Sequence, residues 1–400
     1  MNRATSDRLQ RTTEVPAQVP WNNNALQYAR IKDELAPEVE RVLASGAYVL
    51  SEDVTGFERE FAAYCGVRHG VGVHSGTDAI SILLRAIGLG PGDEVLVPVN
   101  SCSSEPNAIM LAGATPVPVD IDARTYNLDP EAVAAAIGPN TRLIHAVHAY
   151  GQPCAMGDII KIARDHGVPV LEDISLAPGT TIDGERVGRF GDFAVASFGH
   201  GKILNAAGNG GGIIITDDAT VAERARDLAT YGSGFVSEAQ PVAEAYLGPS
   251  GRAWLEPAFN SFLDAIQAAT LRVKLRHLDR WLAERGERAR WYDECLAELD
   301  VVTPHIAEGV TCAYRGYIIR VRDRNRVQAH LLEAGVETRA WYTPPVHLQP
   351  AMARYGYREG DFPAGEAFAR ELILLPLYPE LETSQVEHVA RTLRDALGGA

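Results

Sequence analysis

Between residues 69 and 216 short apolar runs keep returning, each separated from the next by a segment of helical texture. "GVGVHSG", "DEVLVPV", "TPVPVDI", "RLIHAVHAY" and "VPVLED" read as strands, and "TDAISILLRAIGLG", "PNAIMLAGA", "PEAVAAAIGP" and "DIIKIARDHG" as the helices between them. The runs are too continuously apolar to leave one face in water. This alternation therefore predicts an α/β fold: a mostly parallel sheet with helices on both faces, in three layers. "GDFAVASFG" and "GGGIIIT" add two strands close together. In such a sheet the ligand lies beyond the carboxyl ends of the strands, so the loops that end strands are the places to look for chemistry.

Upstream, "ALQYARIKDELAPEVERVLASG" and "DVTGFEREFAAYCG" are amphipathic helices ending in glycine. Downstream, "FLDAIQAATLRVKLRHLDRWLAERGERARWYDECLAEL" reads as one long helical stretch. "GYIIRVRD", "RVQAHLLEAG" and "ELILLPLYP" then suggest a smaller α+β domain. The expected organisation is a polar arm over 1–20, a large domain over 21–275 and a small domain over 276–400. A formal charge of −15 argues against a nucleic acid or an anionic membrane as the main partner. The start of the chain lacks the apolar segment of a secretory leader, and no later stretch approaches membrane-spanning length. Five scattered cysteines (Cys65, Cys102, Cys154, Cys295, Cys312) show neither metal spacing nor an even count, which predicts reduced thiols, no metal site and a cytoplasmic setting.

The chain contains four lysines against thirty-three arginines. One of the four, Lys202, sits in "SFGHGKILNAAGNGGG", among glycines and apolar residues between two predicted strands. A lysine amine can lose its proton and attack a carbonyl, which a guanidinium does not do. Desolvation would push it toward that state. Lys32, Lys161 and Lys274 fall on predicted helices with charged neighbours and read as solvated. Two other strand-ending loops complement Lys202. "HSGTDAI" places Gly76 and Thr77 at a helix start, where N–H groups suit a phosphate, although in isolation this pattern reads better as a capped helix. "VLEDISLAPG" ends a buried strand on Glu172 and Asp173, each a candidate catalytic carboxylate or a structural one. Together the three loops fit pyridoxal 5′-phosphate: Lys202 for its aldehyde, Asp173 for its pyridine nitrogen, and Gly76, Thr77 and Ser197 for its phosphate.

From about residue 20 onward the chain resembles the DegT-type sugar aminotransferases, a branch of the aspartate-aminotransferase-like fold-type-I enzymes. The resemblance rests on "SGTDAI", "GPGDEVLVP", "GATPVPVDID", "HAYGQPCAMGDI", "VPVLEDISLAPG", "VGRFGDFAVASFGHGK", "FNSFLDAIQAATLRVKLRHLD" and "LLPLYPEL", in that order. It implies a homodimer with active sites at the subunit interface, in which Asn260 reaches the neighbouring subunit's cofactor phosphate. It further implies that Lys202 is the Schiff-base lysine, Asp173 the pyridine partner and Ser197 a phosphate ligand. The implied reaction moves an amino group from glutamate or glutamine to a keto sugar, usually nucleotide-linked, or a cyclic polyol, in an antibiotic or glycan pathway.

Four positions depart from the resemblance. Leu176 replaces a glutamine near the cofactor's phenolic oxygen, and Cys102 replaces an aromatic ring stacked on the cofactor. Phe262 replaces an arginine, and Arg315 replaces a histidine and restores a cation. Glu105, Arg315, Trp341 and Tyr342 are candidate substrate contacts by position. His347 matches a recurring motif without an assigned role, and His200 either touches the cofactor or packs against its own loop. The departures leave two alternatives to transamination: a lysine-dependent elimination or dehydration, and a non-catalytic regulatory role.

Overall fold

The computed structural model describes residues 19–235 and 252–398. The predicted strands appear as β1 (His69–Val73), β2 (Glu94–Pro98), β3 (Thr115–Val119), β4 (Thr141–Val147), β5 (Val170–Asp173), β6 (Phe193–Ser197) and β7 (Gly212–Thr216). They form one sheet in the order β1-β7-β6-β5-β4-β2-β3. Every pairing is parallel except those of β7, which runs antiparallel to both β1 and β6. The register Val147↔Asp173 sets the carboxyl ends of β4 and β5 level, and Asp173↔Val195 lets β6 run two residues further. Val95, Leu96 and Val97 of β2 are fully buried, as burial on both faces requires.

Helices α1 (Asn24–Ser45), α2 (Glu52–Cys65), α3 (Gly76–Ala86), α4 (Ser104–Leu111), α5 (Pro130–Ala136), α6 (Met156–His166) and α7 (Ala219–Ala229) cover the two faces. The single helical stretch expected after residue 261 is instead two helices, α8 (Ala265–Leu275) and α9 (Leu278–Leu296). Neither glycine nor proline marks the break. Packing makes it: α8 lies against α1 and α2, while α9 departs toward a second core. Leu278 and Leu282 pack into the large-domain core, but Ala289, Tyr292 and Leu296 belong to the other.

That second core joins α9 to β8 (Tyr317–Arg320), α10 (Arg324–Glu333), β9 (Leu372–Leu375) and α12 (Thr383–Gly398), with α11 (Pro363–Glu371) alongside. Of the arm expected over 1–20, residues 1–18 lie outside the described residues, and Val19 is not part of a loose arm. It is buried in this core and bridges Val336 in parallel. A further cluster, containing Trp21, Tyr126, Tyr150, Ile318, Phe368 and Leu374, joins the two domains. Asp120, just beyond β3, accepts the N–H groups of Ala364 and Gly365 at 3.0 and 2.8 Å and so caps α11 from across that junction.

Gly151 follows β4 with φ of +98°, and a Cβ there would lie 2.5 Å from the Tyr314 nitrogen. Only glycine allows the 313–315 segment to dock, with Ala313 N–H on Gly151 O (3.0 Å) and Arg315 N–H on Tyr150 O (2.8 Å). Gly151→Ala is expected to cost about 3 kcal/mol in urea unfolding. Gly157→Ala, in α6 with nothing near its Cβ, should be neutral or stabilising by up to about 1 kcal/mol.

Candidate functional site

The carboxyl edge of the sheet gathers the three loops singled out by the sequence. At the end of β1, Ser75 caps α3 by accepting the Asp78 N–H at 3.1 Å. The first-turn N–H groups of Gly76 and Thr77 thus point outward without intrahelical acceptors. Ser197 ends β6 beside them: a Cβ on Gly76 would come within 2.5 Å of the Ser197 Cβ. Glycine at 76 therefore brings a helix N-terminus and a hydroxyl to one point, an arrangement suited to a phosphate.

The two carboxylates that end β5 separate cleanly. Glu172, fully buried, accepts from the N–H groups of Gly188 (2.9 Å), Phe190 (2.7 Å) and Gly191 (2.8 Å). Its Oε2 also lies 2.9 Å from His148 Nε2. Because His148 Nδ1 accepts the Cys154 N–H at 2.9 Å, the ring is the neutral tautomer that donates from Nε2 to Glu172. Glu172 is structural. Asp173 points the other way, toward Lys202 and Glu105. Its Oδ1 accepts the Ser175 N–H at 2.8 Å, and its Oδ2 has no hydrogen bond among the described residues. His145 Nε2 lies 3.8 Å from that oxygen.

Lys202 lies on a turn whose backbone is fixed twice over. Its N–H donates to Gly199 O at 3.0 Å, and its carbonyl accepts from Asn205 Nδ2 at 2.9 Å. Burial pulls the amine below the usual lysine range, Asp173 opposes this, and the Arg315 guanidinium adds to it. Lys274 corrects the reading from sequence. It is buried rather than solvated, donates to Asn205 Oδ1 at 2.9 Å, and is pushed down to about 8 by burial. It supports the turn from behind. Lys32 and Lys161 are exposed.

The other predicted residues divide. Glu105 is buried close to Asp173 and Lys202, and burial followed by the Asp173 charge raises its carboxyl well above the usual range. Leu176 is buried, while Cys102 is half-buried beside Thr77. Thr77, Cys102, Met110, Trp341, Tyr342 and Met352 line a cavity of about 640 Å³ that opens from this edge. Arg315 is buried, with its Nη2 3.1 Å from where a Gly201 Cβ would be. Asn260 is exposed and bridges Thr230, while Ser261 beside it ties the segment to α3 by donating to Asp78 at 2.7 Å. Phe262 packs edge-on to Tyr231. His200 is exposed, and His347 holds the buried Glu366 at 3.0 Å, a structural pair.

His145 escaped the sequence reading. It is fully buried in β4 with both ring nitrogens unpaired among the described residues. A polar residue within the apolar run "RLIHAV", two positions before the residue paired with Asp173, is the signal that marks it.

Residues 29–394 match the DegT/DnrJ/EryC1/StrS aminotransferase family. The chain is 39% identical over 380 residues to a pleiotropic regulatory protein of Geobacillus stearothermophilus, covering 94% of this chain and 98% of that one. It is 38% identical over 378 residues to the dTDP-3-amino-3,4,6-trideoxy-alpha-D-glucose transaminase of Streptomyces venezuelae, covering 94% and 96%. The crystal structure of S. venezuelae DesV in complex with a ketimine intermediate superimposes with a TM-score of 0.87 at 38% identity, covering 94% of this chain and 98% of that one.

Burial pushes the His145 imidazole down to about 4. The ring is neutral in the fold and takes up a proton on unfolding, so its contribution is intact above about pH 6.5 and is lost as pH falls toward 4. The loss amounts to roughly 3 kcal/mol. His145→Leu is expected to flatten the fall in melting temperature between pH 7 and pH 5; an unchanged slope would mean that His145 is not the titrating group.

Proposed function

The chain belongs to the DegT/DnrJ/EryC1/StrS aminotransferase family, and on that premise we propose that it binds pyridoxal phosphate at the carboxyl edge of its sheet. There it moves the amino group of glutamate or glutamine onto a nucleotide-linked keto sugar or a cyclic polyol. The observation that carries this reading is the convergence of a desolvated lysine, an unpaired carboxylate oxygen and a glycine-opened helix N-terminus on one cleft. The residues fit the cofactor: Gly76 lets Ser197 stand against the first turn of α3, and Asp173 Oδ2 is free to accept from a pyridine nitrogen. The name of the Streptomyces relative supports a nucleotide-linked sugar, and a 640 Å³ cavity has room for a large acceptor.

When bound, pyridoxal phosphate supplies an aldehyde that takes up an amino group and a ring that accepts the electron pair of a broken C–H bond. Gly76 and Thr77 N–H groups and the Ser197 hydroxyl hold the phosphate. Asp173 keeps a proton on the pyridine nitrogen by offering it a buried negative charge. Lys202 Nζ, favoured in its neutral form by burial, takes the proton from the donor's α-carbon and returns it on the other side of the exchange. Cys102 and Leu176 face the ring, and Glu105, Trp341 and Tyr342 border the acceptor. Asn260, exposed in its own chain, serves the neighbouring subunit's phosphate. The exposed run of Tyr48, Val49 and Leu50, with Leu43 and Trp254, supports a homodimer that covers it. The free cysteines support a cytoplasmic setting. The intact lysine and carboxylate favour catalysis over the regulatory role named for the Geobacillus relative.

The purified protein is expected to show a visible absorption band that L-glutamate or L-glutamine converts to a shorter-wavelength one, with no sugar present. Lys202→Ala should lose the visible band. Asp173→Asn should keep it but slow the conversion by about 10²-fold or more. A band indifferent to both amino acids would favour elimination, and no band with added cofactor would refute the reading.

A further inference from the structure

Three lysine or arginine side chains are buried among the described residues: Lys274, Arg285 and Arg315. Lys274 donates to Asn205 Oδ1, and Arg285 to the carbonyls of Tyr314 and Leu377. Arg315, only 3% exposed, has neither a side-chain hydrogen bond nor a carboxylate partner among the described residues, and its Nε is buried without an acceptor. The Trp21 ring lies 4.1 Å from its guanidinium carbon and the Trp341 ring 5.7 Å away. The two indoles stand 4.8 Å apart. Its Nη2 is pressed against Gly201, the residue before Lys202. The neighbouring guanidinium groups of Arg285 and Arg339 make its positive charge still less comfortable.

A buried cation without an anion is costly, and a fold retains it where an anion arrives with a ligand. Ring faces satisfy a guanidinium only from above and below, so the in-plane N–H groups remain for a planar, two-oxygen acceptor. We propose that Arg315, held by Trp21 and Trp341, is the carboxylate-binding residue of the site and takes the α-carboxylate of the amino donor. This rests on the reaction proposed above and adds a specificity determinant to it. The choice of carboxylate follows from distance. In an amino acid the anion is a single carbon removed from the amine that is exchanged at Lys202. In a nucleotide-linked sugar, ring atoms separate the diphosphate from the keto carbon.

Trp21 and Trp341 provide a readout that needs no turnover. With and without added pyridoxal phosphate, the purified protein is titrated with glutarate, which carries the donor's carboxylates but no amine. D-Glucuronate stands in for a carboxylated acceptor, and uridine diphosphate for a phosphate source. Glutarate is expected to give a saturable change in tryptophan emission, weakened about 10-fold in Arg315→Lys and 100-fold or more in Arg315→Gln. The L-glutamate concentration needed for the spectral conversion should rise in parallel, while the visible band itself persists. Arg315→Met should melt no lower than the parent protein, which separates lost binding from lost folding. An Arg315-dependent response to glucuronate alone would transfer the subsite to the acceptor and overturn the donor assignment. A response to uridine diphosphate alone, or a glutarate response that survives in Arg315→Gln, would overturn the carboxylate assignment. Loss of the visible band in the parent protein would count against the proposed reaction instead, because the titration reads Arg315 without it.

Discussion

A carboxylate removed from water must have its lone pairs filled, and Glu172 has its own filled by three backbone N–H groups of the 188–191 loop and by His148. Those bonds tie the end of β5 to the loop that enters β6 and to the end of β4. The next residue, Asp173, is consequently aimed at the opposite side with little freedom, and its partners in register, Val147 and Val195, hold it level with the end of β4. Functional groups are effective when a rigid shell fixes them. Here that shell is a buried anion with no free valence, next to another with a valence left open.

The same contrast between satisfied and unsatisfied polar groups separates scaffold from site elsewhere in the molecule. Glu366 is filled by His347 and the Gly360 N–H, Asp120 is spent on α11, and Lys274 on Asn205. Around Lys202 the charges instead act on one another: Asp173 and Arg315 pull its amine in opposite directions, and the Asp173 charge raises the Glu105 carboxyl. Burial disfavours the charged forms of Lys202 and Glu105, and their mutual attraction partly restores both. The small domain adds the cation to this set through the docking of residues 313–315 on Gly151. The contact between the two cores therefore also borders the candidate site.

What the sequence made legible was local. The alternation of apolar runs defined the strands and most helices, because periodicity records burial one element at a time. Lys202 stood out because arginine serves nearly every other cationic position, and the motifs around it identified the family. Less was legible where the answer depended on distant residues. Glu172 and Asp173 are adjacent acidic residues, and only the alternation of sides along β5 assigns one to the scaffold and the other to the cleft. Lys274 read as solvated because the helices that bury it lie far away in sequence. The break between α8 and α9 has no breaker residue, so it follows from two cores pulling on one helical stretch. Trp21 meets Trp341 from the opposite end of the chain, a contact that no local pattern encodes.

Lys274 also provides the sharpest internal control on the account, since it too is a buried lysine whose amine is pulled down by desolvation, yet it is spent on Asn205. The decisive measurement is borohydride reduction of the protein in the presence of pyridoxal phosphate, followed by mass mapping of the lysine-containing peptides. The account predicts one added cofactor mass, on the peptide that carries Lys202, and none on those carrying Lys32, Lys161 or Lys274. Label on Lys274, label spread over surface lysines, or no label at all would contradict it.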